Sequence, residues 1–232
     1  MHKKFITLSL IALLYSCSNN EPKNKHKHYV KVYESALRLG DVNVAINACY
    51  DIIANDSTQT NYYDTLVYLY LNTRNDGSTF LAARNSLKYH PNNEKMTRVA
   101  ADYSKILGMP DTAIAYYKKT FVLTNKLENM YDVAQVQYNA GYDAAAEETA
   151  DMIIKTPDSE KIFIGISVAQ ETPQQIPLRA AAYNIKGTIF IALGSKEIAL
   201  RYFDEALKIT PEFKVAKKNK EDIMNGKIKF EK

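Results

Sequence analysis

From about residue 26 to residue 225, apolar residues return every three or four positions along the chain, the spacing of amphipathic helices. Three stretches break that pattern. Phe5 to Leu14 is an apolar run interrupted only by Thr7 and Ser9, and it follows the positive segment His2-Lys3-Lys4. Spanning a hydrocarbon core takes ~20 residues, so this run predicts a signal peptide over residues 1–16. Residues 17–25 follow, where Ser18 to Lys25 is polar and without an apolar period, and they predict a flexible tether. The third break is Lys161 to Val168 together with Gln174 to Leu178, where Ile and Val dominate and apolar residues alternate only roughly. It predicts a small β-hairpin or extended loop over residues 161–179. Glu171-Thr172-Pro173 is the candidate turn, and Pro177 confines the second arm to an edge. Such an insertion either docks a partner or covers the helices before it, and both readings stay open. Beyond Pro211, Val215, Ala216, Ile223 and Met224 stand beside Lys217, Lys218 and Lys220, which predicts a capping helix within residues 214–232.

Between the breaks the sequence repeats itself. Tyr183, Gly187, Phe190, Gly194, Ala199, Phe203, Ala206 and Pro211 fall at fixed offsets. Two antiparallel helices that cross closely need small residues where they meet, which Gly187, Ala199 and Ala206 supply. Gly194 suits the turn after the first helix, and Pro211 stops the second. The frame returns as Gly108, Ala113 and Tyr117; as Gly141, Ala146 and Ala150; and as Gly40, Ala45 and Cys49, with Tyr29 leading. In the remaining copy Tyr63, Leu66, Tyr70, Leu87 and Pro91 fit, while the turn reads Arg74-Asn75-Asp76-Gly77. This order resembles the tetratricopeptide repeat (TPR), with Tyr183 and Phe190 standing for its Trp and Tyr and Lys186 replacing its usual Leu. Repeats begin near residues 26, 60, 94, 127 and 180, with first steps of 34, 34 and 33 residues against a TPR period of 34. The last step of 53 leaves room for the insertion. The resemblance implies an all-α fold: a TPR helix-hairpin superhelix of about five repeats plus a C-terminal capping helix. Repeats one to four would occupy residues 26–160 and the fifth residues 180–213.

A second resemblance lies at Leu14-Tyr15-Ser16-Cys17, which looks like the lipobox of bacterial envelope lipoproteins, although Tyr15 is bulkier than its usual occupant. It implies that Cys17 is acylated and that the chain sits on the outer membrane, facing periplasm or surface, with enough lipid for stable anchoring. Only Cys49 then remains; it falls on an apolar helix face and reads as a core residue. Removal of the leader takes Lys3 and Lys4 and leaves 28 basic against 26 acidic side chains, too even for a nucleic-acid partner. Asp56-Ser57-Thr58 and Asp111-Thr112-Ala113 resemble the O-glycosylation sequons of Bacteroidetes and equally fit turns or helix caps.

Catalytic chemistry has no foothold in the sequence. It holds no Gly-rich phosphate loop, G-x-S-x-G elbow or His-Glu-x-x-His motif. His26 and His28 lie near the presumed tether, and His90 stands alone before Pro91, so no metal or cofactor is expected. Glu147 and Glu148 read as solvated. The TPR resemblance instead implies a concave groove lined by the first helix of each pair. Its offsets place Asp64, Tyr68 and Asn72 there from the second repeat, and Lys95, Arg98, Asp102 and Lys105 from the third. The fourth gives Tyr131, Gln135, Tyr138 and Asn139. Tyr, amide and mixed charge suit an extended peptide. The Asn partners of the carboxylate clamp found in some TPR domains are missing. The expected function is a non-enzymatic scaffold for a secretion, motility or outer-membrane assembly complex. The alternative is an accessory lipoprotein for glycan or solute acquisition, since SusD-type lipoproteins contain TPR-like helix pairs.

Overall fold

The computed structural model describes residues 21–167 and 172–228. The expected signal segment and Cys17 lie outside them. Eleven helices and two short strands follow one another among the described residues, and the chain divides into two compact units, residues 1–96 and 97–232. The first unit holds α1 (Glu21–Leu39), α2 (Val42–Asn55), α3 (Tyr62–Asn72), α4 (Asp76–Tyr89) and the start of α5 (Glu94–Ile106). The second continues with α6 (Pro110–Thr124), α7 (Glu128–Asn139), α8 (Asp143–Lys155), β1 (Phe163–Ile166) and β2 (Gln174–Pro177). After the strands come α9 (Leu178–Ala192), α10 (Lys196–Ile209) and α11 (Lys214–Met224). Five helix pairs and a single last helix match the expected order. The polar stretch read as tether is already helical from Glu21. Pro22 falls in the first turn, where the N–H it lacks would have no helical partner.

The turns inside the pairs share one geometry. After α5, Gly108 (φ 69°) donates its N–H to Lys105 O, and Met109 donates to Ser104 O at 2.9 Å. The same bond pair and a left-handed residue recur at Gly40, Gly141 and Gly194, which satisfies carbonyls the helix end would otherwise orphan. In the second pair the left-handed position belongs to Arg74 (φ 53°), with Asn75 N–H on Tyr70 O. Gly77, the apparent turn glycine, sits inside α4 instead.

Packing explains the small residues. A Cβ at Gly187 would stand 2.5 Å from the Phe203 ring, so α9 and α10 can cross as they do only with hydrogen there. Phe203, Ala199 and Ala206 are fully buried. In the first unit, Cys49 lies fully buried in an apolar core with Ile52, Leu66 and Val67, and burial pushes its thiol up to about 12. That is core packing and not a reactive thiolate.

Lys186, in place of an apolar residue, is the unexpected core member: its side chain is only 5% exposed. Its ammonium reaches Asp151 at 2.6 Å and Glu147 at 3.1 Å on α8, and lies 4.5 Å from the Tyr202 ring centre. Burial opposes the charge, but the bonds to Asp151, Tyr202 and Glu147 outweigh it and raise the lysine pKa. Glu147 is therefore a structural partner and not merely solvated, whereas Glu148 is exposed.

The insertion is an antiparallel hairpin, with Phe163 opposite Pro177 and Ile166 opposite Gln174. Ile176 is buried, and Ile164 and Ile166 pack on the core of the second unit. Arg179 fixes its root through Ser159 Oγ (2.9 Å), Glu160 (2.8 Å) and Thr156 O (3.2 Å). Gln174 fixes its far end, donating to Glu212 O at 2.8 Å and accepting from Lys214 N–H at 3.0 Å. The capping helix α11 packs through Phe213, Ala216 and Ile223, while Met224 is exposed. Lys217 and Lys220 pair with Glu212 and Asp204.

These contacts set the expectations for two neighbouring substitutions. Gly187→Ala overpacks the crossing and should cost about 1–3 kcal/mol. Lys186→Leu takes away the cation alone and leaves Asp151 and Glu147 facing each other unneutralised, so it should lower stability, whereas adding Glu147→Gln and Asp151→Asn, which removes the stranded charges, should recover most of the loss. Thermal unfolding followed by circular dichroism checks both.

Candidate functional site

The expected groove residues fall in both units. In the first unit, Asp64 is bound inward: it accepts from Ser86 Oγ and from Asn93 Nδ2 (2.9 Å), tying α3 to α4 and to the chain entering α5. Tyr68, at 51% exposure, with Asn72 and Lys95, faces solvent. His90 ends α4 with Nε2 3.0 Å from Thr60 Oγ1. Asp56 organises the turn after α2, accepting from Thr58 N–H and Thr58 Oγ1, and the bonds from Thr58 and Gln59 lower its pKa. Asp111, in the other sequon-like triplet, accepts from Tyr142 Oη at 3.2 Å.

In the second unit Arg98 is the hub. Its Nε donates to both Asp102 oxygens at 3.1 Å, and its Nη1 reaches Asp132 at 2.8 Å and Asn129 Oδ1 at 2.9 Å. The guanidinium lies 5.0 Å from the Tyr117 ring centre, and Tyr117 Oη donates to Asp102 at 2.7 Å. Three helices, α5, α6 and α7, thus meet on one cation. Burial works against the charge of Arg98, but Asp132 and Asp102 outweigh it and raise its pKa. Burial raises the pKa of Asp132 despite the attraction of Arg98, and burial followed by the bond to Asp102 raises that of Tyr117. Lys105 is exposed, with its ammonium 5.8 Å from the Tyr117 ring centre.

Beside this hub lies a cleft of about 410 Å³ between α7 and β1. Glu128, Tyr131, Asp132 and Gln135 form one wall with Arg98, and Ile164, Gly165, Ile166 and Ser167 form the other. Gln135 Nε2 donates to Tyr131 Oη at 3.1 Å. Tyr131 is 7% exposed and presents only its rim, and burial raises its pKa. Tyr138 packs against the core, and Asn139 is exposed at the end of α7. Among the described residues no group of His, Cys, Asp and Glu could hold a metal ion, and no helix is long and apolar enough to cross a membrane.

No family model and no curated protein matches the sequence. Solved structures do match. YrrB, described as a TPR protein with an unusual peptide-binding site, aligns over 92% of this chain and 98% of its own, with a TM-score of 0.60 and 14% identity. MamA aligns over 82% and 94%, with a TM-score of 0.57 and 14% identity. A TPR protein from Parabacteroides merdae ATCC 43184 gives a TM-score of 0.57 at 14% identity, over 88% and 75%. The fold is that of the TPR proteins.

The TPR offsets lead to α7 but single out only part of the site. Of the expected residues, Gln135 and the rim of Tyr131 line the cleft with part of Arg98. Glu128, Asp132 and the hairpin wall are additions. Glu128 holds in its repeat the position of Lys95, a correspondence that the expected groove residues left out. Asp132 stands 34 residues after Arg98, one position past its equivalent in a repeat step of 33, with opposite charge, a signal a search for paired charges between neighbouring TPR repeats would find. Arg98 mainly holds helices together, so its removal should lower stability.

Asp132 supplies a pH test. Its folded pKa lies above its unfolded value, so this group contributes most below the unfolded value near ~3.9 and loses that contribution as pH rises through the folded one. The wild-type melting temperature should therefore rise relative to Asp132→Asn between pH 7 and pH 4, as measured by circular dichroism at each pH.

Proposed function

We propose that this chain is a lipid-anchored TPR scaffold of the cell envelope that holds an extended segment of a partner protein against α7. The cleft between α7 and β1 carries the reading: an amide, a tyrosine rim and carboxylates stand on packed helices, opposite a strand edge. An exposed amide beside partly exposed carboxylates along a helix suits a peptide backbone and its polar side chains. The peptide-binding site of YrrB, on a similar fold, lends support by analogy of architecture. The anchor rests on Leu14-Tyr15-Ser16-Cys17, and Cys17 is the acylated residue in this reading. The partner belongs to a secretion, motility or outer-membrane assembly complex.

Crosslinking the protein in its own cells, followed by mass spectrometry, tests this. Wild type should capture envelope proteins reproducibly, and a Glu128→Lys, Gln135→Lys double variant should reduce that capture at least about tenfold with an unchanged melting curve. Cys17→Ser should move the protein from the membrane to the soluble fraction. Empty capture by a membrane-bound wild type would overturn the scaffold and favour glycan or solute binding.

A further inference from the structure

The hairpin ladder has one edge used and one edge open. Leu178 N–H donates to Ile162 O at 2.7 Å, which marks the hydrogen-bonded phase of the register. Stepping two residues at a time, Ile164 with Ile176 and Ile166 with Gln174 are the bonded pairs. Phe163 opposite Pro177 and Gly165 opposite Gln175 are the non-bonded ones. Phe163 and Gly165 therefore turn their N–H and C=O groups away from β2. Among the described residues no backbone or side-chain bond outside the hairpin reaches them. On β2 the outward groups belong to Gln175 and Pro177, and Pro177 has no N–H, so that edge is blunted.

The open edge faces the cleft. Four consecutive residues, Ile164 to Ser167, line it, and none comes from β2, so the cleft runs along the side of β1 that β2 leaves free. Phe163 and Gly165 are both exposed, and Gly165 offers no side chain to an incoming strand. The hairpin is held at its root by Arg179 and at its far end by Gln174, so the edge is pre-positioned for pairing. The opposite wall is acidic. Glu128 and Asp132 face the open edge, and Arg98, the one cation lining the cleft among the described residues, is engaged by Asp102 and Asp132.

We infer that an extended, basic segment of a partner protein adds to β1 as a third strand. Its backbone bonds Phe163 and Gly165, and Lys or Arg side chains on one of its faces meet Glu128 and Asp132. Main-chain pairing supplies affinity, and the alternation of side chains supplies selectivity. The inference rests on the scaffold reading and locates the partner within it.

The probe is a fluorescein-labelled synthetic peptide of alternating Lys and Val, read by fluorescence anisotropy against the full chain in mild detergent. In an added strand only alternate residues bond β1. N-methylation of one alternate set should weaken binding at least about tenfold, and of the other set less than about twofold. Gly165→Pro, which removes an outward N–H, should weaken binding at least about tenfold, while Gln175→Pro on the other edge leaves it unchanged. A Glu–Val peptide should bind at least about tenfold more weakly than Lys–Val, with the gap closing as salt rises. Equal loss from both methylated sets would overturn strand addition, as would failure of the Lys–Val peptide to bind. The crosslinking result decides the scaffold separately. If Gly165→Pro lowers the melting temperature, the methylated peptides decide alone. A dimer in sedimentation that Gly165→Pro dissolves would make the occupant a second copy and overturn the partner segment.

Discussion

The helices of a pair can cross closely only where one of them has nothing to put in the way. At Gly187 the Phe203 ring occupies the space a methyl group would need, and the fully buried Ala199 and Ala206 keep the facing helix equally slim. Large residues are then free to fill the remaining space, as Phe203 and Phe213 do. The tight left-handed turn follows from the same closeness, because antiparallel helices this near each other leave only a few residues for the reversal. The insertion respects the constraint. It leaves the chain between α8 and α9, yet α7 and α9 still touch, so the hairpin adds an outer element and does not split the packing of its neighbours.

Two cations do what apolar residues do in simpler repeats, at different depths. Lys186 is nearly sealed and is balanced by two carboxylates and an aromatic face. Such a cluster is costly to break, because taking away the cation alone strands two carboxylates, and only replacement of all the charged partners together avoids that cost. Arg98 sits at the margin of the cleft, 40% exposed, with most of its hydrogen-bonding directions spent on Asp102, Asp132 and Asn129. The cleft therefore meets an incoming ligand with carboxylates on one wall and a guanidinium whose Nε and Nη1 are already taken.

The fold was readable because its logic is local. Glycine and alanine at fixed offsets report helix crossings and turns a few residues away, and a period of 34 carries that report along the chain. The second pair shows the limit: Arg74, a residue with no visible preference for a left-handed turn, takes that role, and the nearby Gly77 proved a decoy. The hairpin was visible in its Ile and Val, but its register was not, since register depends on how Ile164, Ile166 and Ile176 meet the core. The site was harder still. Asp64 and Arg98 occupy groove positions, yet both are drawn into bonds with partners 22 to 34 residues away. Glu128 and Asp132 gain meaning only when β1 is placed opposite them. Offsets within a helix say which way a side chain sets out and not what it finds there.

Gln174 joins two things the sequence keeps far apart. One amide group spans the second strand and the first turn of α11, closing a carbonyl and an N–H of the segment that enters the helix. The last helix is thereby more than a lid over apolar residues; it is a brace for the strand that lies behind β1. Clipping the chain just after Pro211 would remove the buried Phe213, Ala216 and Ile223 as well as that brace, so loss of the last helix would reach the cleft both as an uncovered core and as a loosened wall.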